Sequence, residues 1–162
     1  MFFYFDFYRA IHLRNIRLVD CDSLSDEGFI EAIKKLPQLE ELDISYNFYL
    51  SKDSFETVGY CCPLLKSLKY GWIIHTREES IRRGEVIFAI ANTMPGLRNL
   101  KISGDVLSSD GIIAILNGCR LLESLDLRGS CGLFLNKDLW NRCHEEIKDF
   151  RLPLQLESYY SG

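Results

Sequence analysis

Residues 39–47 read L-E-E-L-D-I-S-Y-N, with apolar side chains at the first, fourth and sixth places and an amide at the ninth. Successive side chains of a strand turn to opposite faces, so Leu42 and Ile44 share one side while Glu41, Asp43 and Ser45 share the other. The pattern recurs along the chain. Leu13, Ile16 and Leu18 precede Cys21; Leu65, Leu68 and Tyr70 follow; Leu97, Leu100 and Ile102 precede Asp105; Leu122, Leu125 and Leu127 precede Ser130. The first residues of these copies lie 26, 26, 32 and 25 positions apart, a register that chance alternation would not hold five times.

Between the strands the sequence turns helical. A leucine stands ten or eleven places after the first residue of every copy but the third, at Leu24, Leu50, Leu107 and Leu133. In the first copy Ser25 and Asp26 can accept bonds from the unpaired amides of a first helical turn. Phe29, Ile33 and Leu36 then recur at helical spacing, and Pro37 forbids continuation. Phe55, Val58 and Cys62 repeat this before Pro63, as do Val86, Ile90 and Met94 before Pro95, and Ile112, Leu116 and Cys119. The strand template and its period, roughly 20–29 residues, are those of leucine-rich repeats. The expected fold is therefore an α/β leucine-rich-repeat solenoid of about five units, with parallel strands on the concave face and helices on the convex face. Each unit depends on its neighbours to cover its apolar side.

Residues 13–150 carry the repeats. Residues 1–12 are densely aromatic, but Asp6 and Arg9 interrupt an apolar run too short to span a bilayer, which argues against a signal peptide or anchor. They read as an N-terminal cap, or as the remnant of sequence lying upstream. Residues 151–162 show no period and read as a C-terminal tail. A net charge of −4 speaks against a nucleic-acid binder, and 47% apolar with 26% charged residues suits a soluble globular chain. The six cysteines follow the repeat, form no C-x-x-C pair and read as reduced thiols in cytoplasm or nucleus. Cys61 and Cys119, each 22 residues after the first leucine of its copy, read as packing residues at helix ends. At the ninth place, Cys21 and Asn47 are short enough to meet backbone groups of the adjacent unit.

A catalytic constellation is not legible. His12, His75 and His144 fall in separate segments without a nucleophile motif beside them. Cys143 and His144 are adjacent, but neighbours on a helix diverge by about 100°, and a zinc site needs convergent ligands. No catalytic residue, metal or cofactor is expected, and the scaffold reads as a binding surface with a protein partner and no membrane.

The outward strand places stack into one concave sheet. Among them Arg17, Glu41, Asp43, Lys69, Lys101, Asp126 and Arg128 form alternating charge bands. These charges either meet a mixed-charge protein partner or satisfy one another across strands, Asp43 with Lys69 and Lys101 with Asp126. The third unit carries about six extra residues before a helix expected near Ser80. Trp72, His75 and Arg77 in that stretch form either a binding loop at the rim or a solvated loop whose Trp72 packs on its own repeat.

The runs S-D-E-G-F-I-E-A-I-K-K-L-P-Q-L-E-E-L-D-I-S-Y, C-C-P-L-L-K-S-L-K, M-P-G-L-R-N-L, L-E-S-L-D-L-R and I-K-D-F-R resemble the plant F-box/leucine-rich-repeat proteins of the cysteine-containing class, over roughly residues 11–152. The resemblance implies the substrate-recognition part of an SCF-type E3 ubiquitin ligase receptor, serving protein ubiquitination and proteasomal degradation, in which no receptor residue performs the transfer. Such proteins carry an F-box before the repeats, whereas here the repeats begin at about Leu13 with no three-helix F-box sequence in front. The SCF adaptor is accordingly expected as a partner only if an F-box is supplied. The alternative is a stand-alone repeat scaffold or decoy without ligase coupling.

Overall fold

The computed structural model describes residues 12–21, 23–47, 49–72, 77–104 and 107–160. Apart from His12, the aromatic start lies outside them, as do His75 and Asp105. Six strands, β1 (Asn15–Arg17), β2 (Glu41–Asp43), β3 (Ser67–Gly71), β4 (Asn99–Gly104), β5 (Ser124–Ser130) and β6 (Asp149–Arg151), lie in chain order in one sheet. Every pairing is parallel. Helices α1 (Asp26–Ile33), α2 (Lys52–Cys61), α3 (Arg77–Thr93), α4 (Ser109–Gly118), α5 (Lys137–Glu146) and α6 (Leu154–Tyr160) alternate with the strands.

Register follows the template. Ile16, Leu42, Leu68, Leu100, Leu125 and Phe150 stand in one row across the sheet. They turn inward to meet Phe29, Phe55, Val58, Ile90, Ile112 and Leu139 from the helices, in a core that runs unbroken along the solenoid. Residues expected to belong to an aperiodic tail instead supply the end of β6 and the whole of α6, so the sheet continues for one strand past the five expected copies.

Serine or asparagine caps four of the helices. Ser25, Ser51, Ser108 and Asn136 accept from the amides of Gly28, Asp53, Gly111 and Leu139, satisfying donors that a first turn leaves over. Asp26 does something else. Expected to serve its own helix, it reaches across to the next, accepting from the Ser51 amide at 2.8 Å, the Ser51 hydroxyl at 2.7 Å and the Ser54 hydroxyl at 2.5 Å. It thus ties the front of α1 to the front of α2. Burial raises the Asp26 pKa, but these three bonds outweigh it and hold the carboxyl below its usual range. Asp26→Ala is expected to lower stability by about 2 kcal/mol in urea denaturation. The sign for pH follows from the depressed folded pKa: the contribution is present above the unfolded value near 3.8 and fades as pH falls through the folded one. The gap between wild type and Asp26→Asn should therefore narrow below that value; a gap constant down to pH about 2 would refute the ionised strut.

Asn47 plays the backbone-pairing part expected of the ninth place. It is 2% exposed, its Oδ1 accepts from the Cys21 amide at 3.0 Å, and its Nδ2 donates to the Leu18 carbonyl at 2.6 Å. At the eighth place of three copies Asp20 (φ 55°), Tyr46 (φ 62°) and Gly104 (φ 96°) turn left-handed. Of the paired cysteines, Cys62 packs within the core and Cys61 packs against its edge. The Cys62 thiol is buried and donates to the Leu36 carbonyl at 3.4 Å, whereas Cys61 is half-buried.

The long third unit is a second correction. Its extra residues lengthen a helix: α3 begins at Arg77, not near Ser80, and runs 17 residues against 10 in each flanking helix. Arg77 through Arg83 contain strong helix formers and no breaker, so the insertion extends the helix forward.

Candidate protein-binding face

The outward residues of the sheet form rows set by the pairing register. One runs Asn15, Glu41, Ser67, Asn99, Ser124, Asp149 and the next Arg17, Asp43, Lys69, Lys101, Asp126, Arg151. A third sets Gly71 beside Ser103 and Ser103 beside Gly129, leaving a floor with little side chain. The Tyr46 ring borders that floor, its Cζ 3.5 Å from the point a Cβ on Gly71 would occupy. Arg128 stands where the β4–β5 register shifts, so it leaves the row and folds back over Asp126.

Most of these charges are engaged within the sheet. Asp43 pairs with Arg17 at 3.6 Å and accepts from the Ser45 hydroxyl at 2.9 Å, so the expected Asp43–Lys69 pair is not formed. Asp126 meets Arg128 through both oxygens, at 3.0 and 2.7 Å, and Lys101 at the outer limit of 4.0 Å. The Arg128 bonds chiefly, against burial, hold the Asp126 carboxyl below its usual range. Glu41 is exposed on the first row.

A further row, three residues ahead of the charged one, escaped the sequence reading. Arg14 meets Glu40 at 3.1 Å and Lys66 meets Glu40 at 2.9 Å; Arg98 meets Glu123 at 2.6 Å and Lys148 meets Glu123 at 3.5 Å. At both places, one just before the strand and one within it, the sign is basic for β1, acidic for β2, basic for β3 and β4, acidic for β5 and basic for β6. The signal was present in the sequence as equal charges three apart, at 14 and 17, 40 and 43, 66 and 69, 98 and 101, 123 and 126, 148 and 151.

Trp72 does not belong to this surface. It is 1% exposed and lies over the guanidinium of Arg83, whose carbon stands 3.5 Å from the ring centroid. Arg83, also 1% exposed, donates to the Leu50 carbonyl at 2.8 Å. In the one copy without a leucine after its strand, this stacked pair fills the core beside Leu50, and the rim reading of Trp72 is overturned. Arg77 opens α3 instead of lying in a loop.

The buried thiols are poor nucleophiles. Burial pushes Cys62 up to about 12 and Cys119 and Cys143 up to about 11. Cys143 is buried while His144 is exposed and rests on Trp140, ring centroids 4.2 Å apart, so the adjacent pair diverges. Among the described residues no three His, Cys, Asp or Glu converge as metal ligands, and no helix is long and apolar enough to cross a membrane.

No family model matches the chain. Curated proteins do. F-box protein SKIP19 of Arabidopsis thaliana is 43% identical over 146 residues, covering 90% of this chain and 46% of its own length. Putative F-box/LRR-repeat protein 22 of the same plant is 42% identical over 94% of the chain and 48% of its own length. Putative F-box/LRR-repeat protein 23 is 40% identical over 90% and 32%. The curated Arabidopsis relatives of this chain are F-box and F-box/LRR-repeat proteins. The chain spans less than half the length of these relatives. The repeat sheet described above is the structural counterpart of the LRR in the names of two of them.

Proposed function

We propose that this chain is a protein-recognition module whose sheet face holds a partner protein, serving as the substrate-recognition half of an SCF-type ubiquitin ligase receptor. The observation that carries the reading is the unbroken outward face of the six-stranded sheet, to which every repeat contributes polar side chains in register. Kinship with F-box proteins supports the coupling to ubiquitination. Six cysteines outside any disulfide suit work in cytoplasm or nucleus.

Two measurements test this. A photo-reactive p-benzoylphenylalanine at Asn99 on the sheet face, or at Phe88 on the exposed side of α3, reports which face touches the partner in cells. Capture of one protein from Asn99 and not from Phe88 is expected; capture from Phe88 alone overturns the sheet-face reading. The captured protein is then offered to a reconstituted SCF reaction with the chain joined behind the F-box of a relative. Ubiquitination with the joined chain is expected, and none despite adaptor binding overturns the ligase reading and leaves a repeat scaffold.

A further inference from the structure

Strands β3 and β4 are the only adjacent pair in the sheet whose charged residues share a sign. Lys69 stands directly across from Lys101, and Lys66 and Arg98 stand immediately before the same two strands. Like charges facing one another across neighbouring strands, roughly 4.8 Å apart, repel. The ion pairs show how three of the four cations are accommodated. Lys66 leans out to Glu40, Arg98 to Glu123 and Lys101 to Asp126, each away from the shared boundary. Lys69 has no such outlet. The acid beside it, Asp43, is taken up by Arg17 and Ser45, and among the described residues Lys69 has no hydrogen bond or ion pair. The centre of the sheet is therefore a positive seam, two strands wide, with uncharged Ser67 and Asn99 within it and the small Gly71–Ser103 pair above.

We propose that this seam receives an extended, carboxylate-bearing segment of the partner protein, with Lys69 and Lys101 as the cations that hold it. The proposal rests on the sheet-face reading above and names the chemistry of its partner. Complementarity selects the ligand. Asp43 and Asp126 flank the seam one strand to each side, so positive ground ends within roughly 5 Å of its midline. A nucleic-acid backbone laid across it would run onto those acids, whereas acidic side chains on a peptide can converge on the two lysines alone. An incoming carboxylate also relieves the repulsion between Lys69 and Lys101, so binding gains from a strain already present in the free sheet.

The test uses fluorescein-labelled hexaglutamate, with hexalysine and a serine-glycine hexapeptide as controls, read by anisotropy. Hexaglutamate alone should bind, and lose affinity at about 0.5 M salt as screening predicts. Lys69→Gln with Lys101→Gln should weaken it about tenfold, while Lys52→Gln at the start of α2 changes it less than about twofold. Both lysines of the seam are exposed and mutually repelled, so the double variant should keep or raise the thermal midpoint. Equal loss in Lys52→Gln, binding unaffected by the double variant, or no hexaglutamate binding overturns the seam. If Asn99 still cross-links the partner in that case, the sheet-face reading stands and only the seam falls.

Discussion

Alanine at Gly104 is expected to lower the stability of the fold by about 4 kcal/mol, the sum of backbone strain and steric overlap at one site. Gly104 shares the left-handed place of Asp20 and Tyr46, but its φ of 96° lies beyond the narrow region that side-chain-bearing residues tolerate. A Cβ there would also drive into the backbone carbonyl of Trp72 on the neighbouring strand. Relief requires β3 and β4 to part, which breaks the bond from the Trp72 amide to the Ser103 carbonyl, now 2.9 Å. The substitution should therefore shift the urea midpoint and move Trp72 emission to the red. Gly132→Ala is the matched control, since Gly132 has φ 64° with open space around it and should cost about 1 kcal/mol. Equal losses at the two glycines would show that the approach to Trp72 contributes nothing.

The second large effect is expected at Arg83, where alanine should cost about 3 kcal/mol. The Leu50 carbonyl loses its donor, Trp72 loses the cation on its face, and a void replaces a long side chain. Removing a buried charge also removes its desolvation penalty, which sets an upper bound on the loss. Arg83→Met separates these parts. Methionine fills much of the space and carries no charge, so it should recover about half of the alanine loss. The remainder belongs to the unpaired carbonyl. Should methionine be as damaging as alanine, packing plays no part and the polar contacts account for the whole effect. The buried Tyr70 phenol offers a second readout. Burial pushes it up to about 12 while the cation of Arg83 opposes the rise, so without Arg83 the phenol should titrate higher still.

The solenoid was legible because its cause is local. A strand of period two followed by a helix of period near four, repeated five times, leaves few alternative folds, and the ninth-place amide announces its own backbone partners. The third unit was harder, because periodicity counts apolar residues while the core there is built from Trp72 and a stacked arginine. No pattern rule assigns a charged residue to a core, so nothing pointed to Arg83, and Trp72 read as part of a loop, with packing on its own repeat as one of two alternatives. Asp26 was assigned to the nearest helix start, as capping statistics favour, yet its bonds go 25 residues along, to Ser51. On the sheet face alternation placed the outward residues up to the register shift at Arg128, whereas their pairing depended on which lysine reaches which acid. That is a matter of side-chain length and competition from Arg17 and Arg128, which no single-strand reading contains.

The order of signs across the sheet, basic, acidic, basic, basic, acidic, basic, reads the same from either end. In the row Arg17, Asp43, Lys69, Lys101, Asp126, Arg151 this leaves a ligand in the proposed seam two equivalent orientations, but a half-turn about the midline exchanges the places of Glu41 on β2 and Arg128 on β5, whose charges are opposite. In the proposed seam, that difference and uncharged features of the face would together tell the head of a bound peptide from its tail. Tyr46 is such a feature, because it is held in a left-handed backbone over Gly71 on the β2 side, while the corresponding position beside Gly129 bears the register shift of β5. If the seam holds a peptide as proposed, its polarity would rest on this asymmetry of the face and its affinity on the lysines.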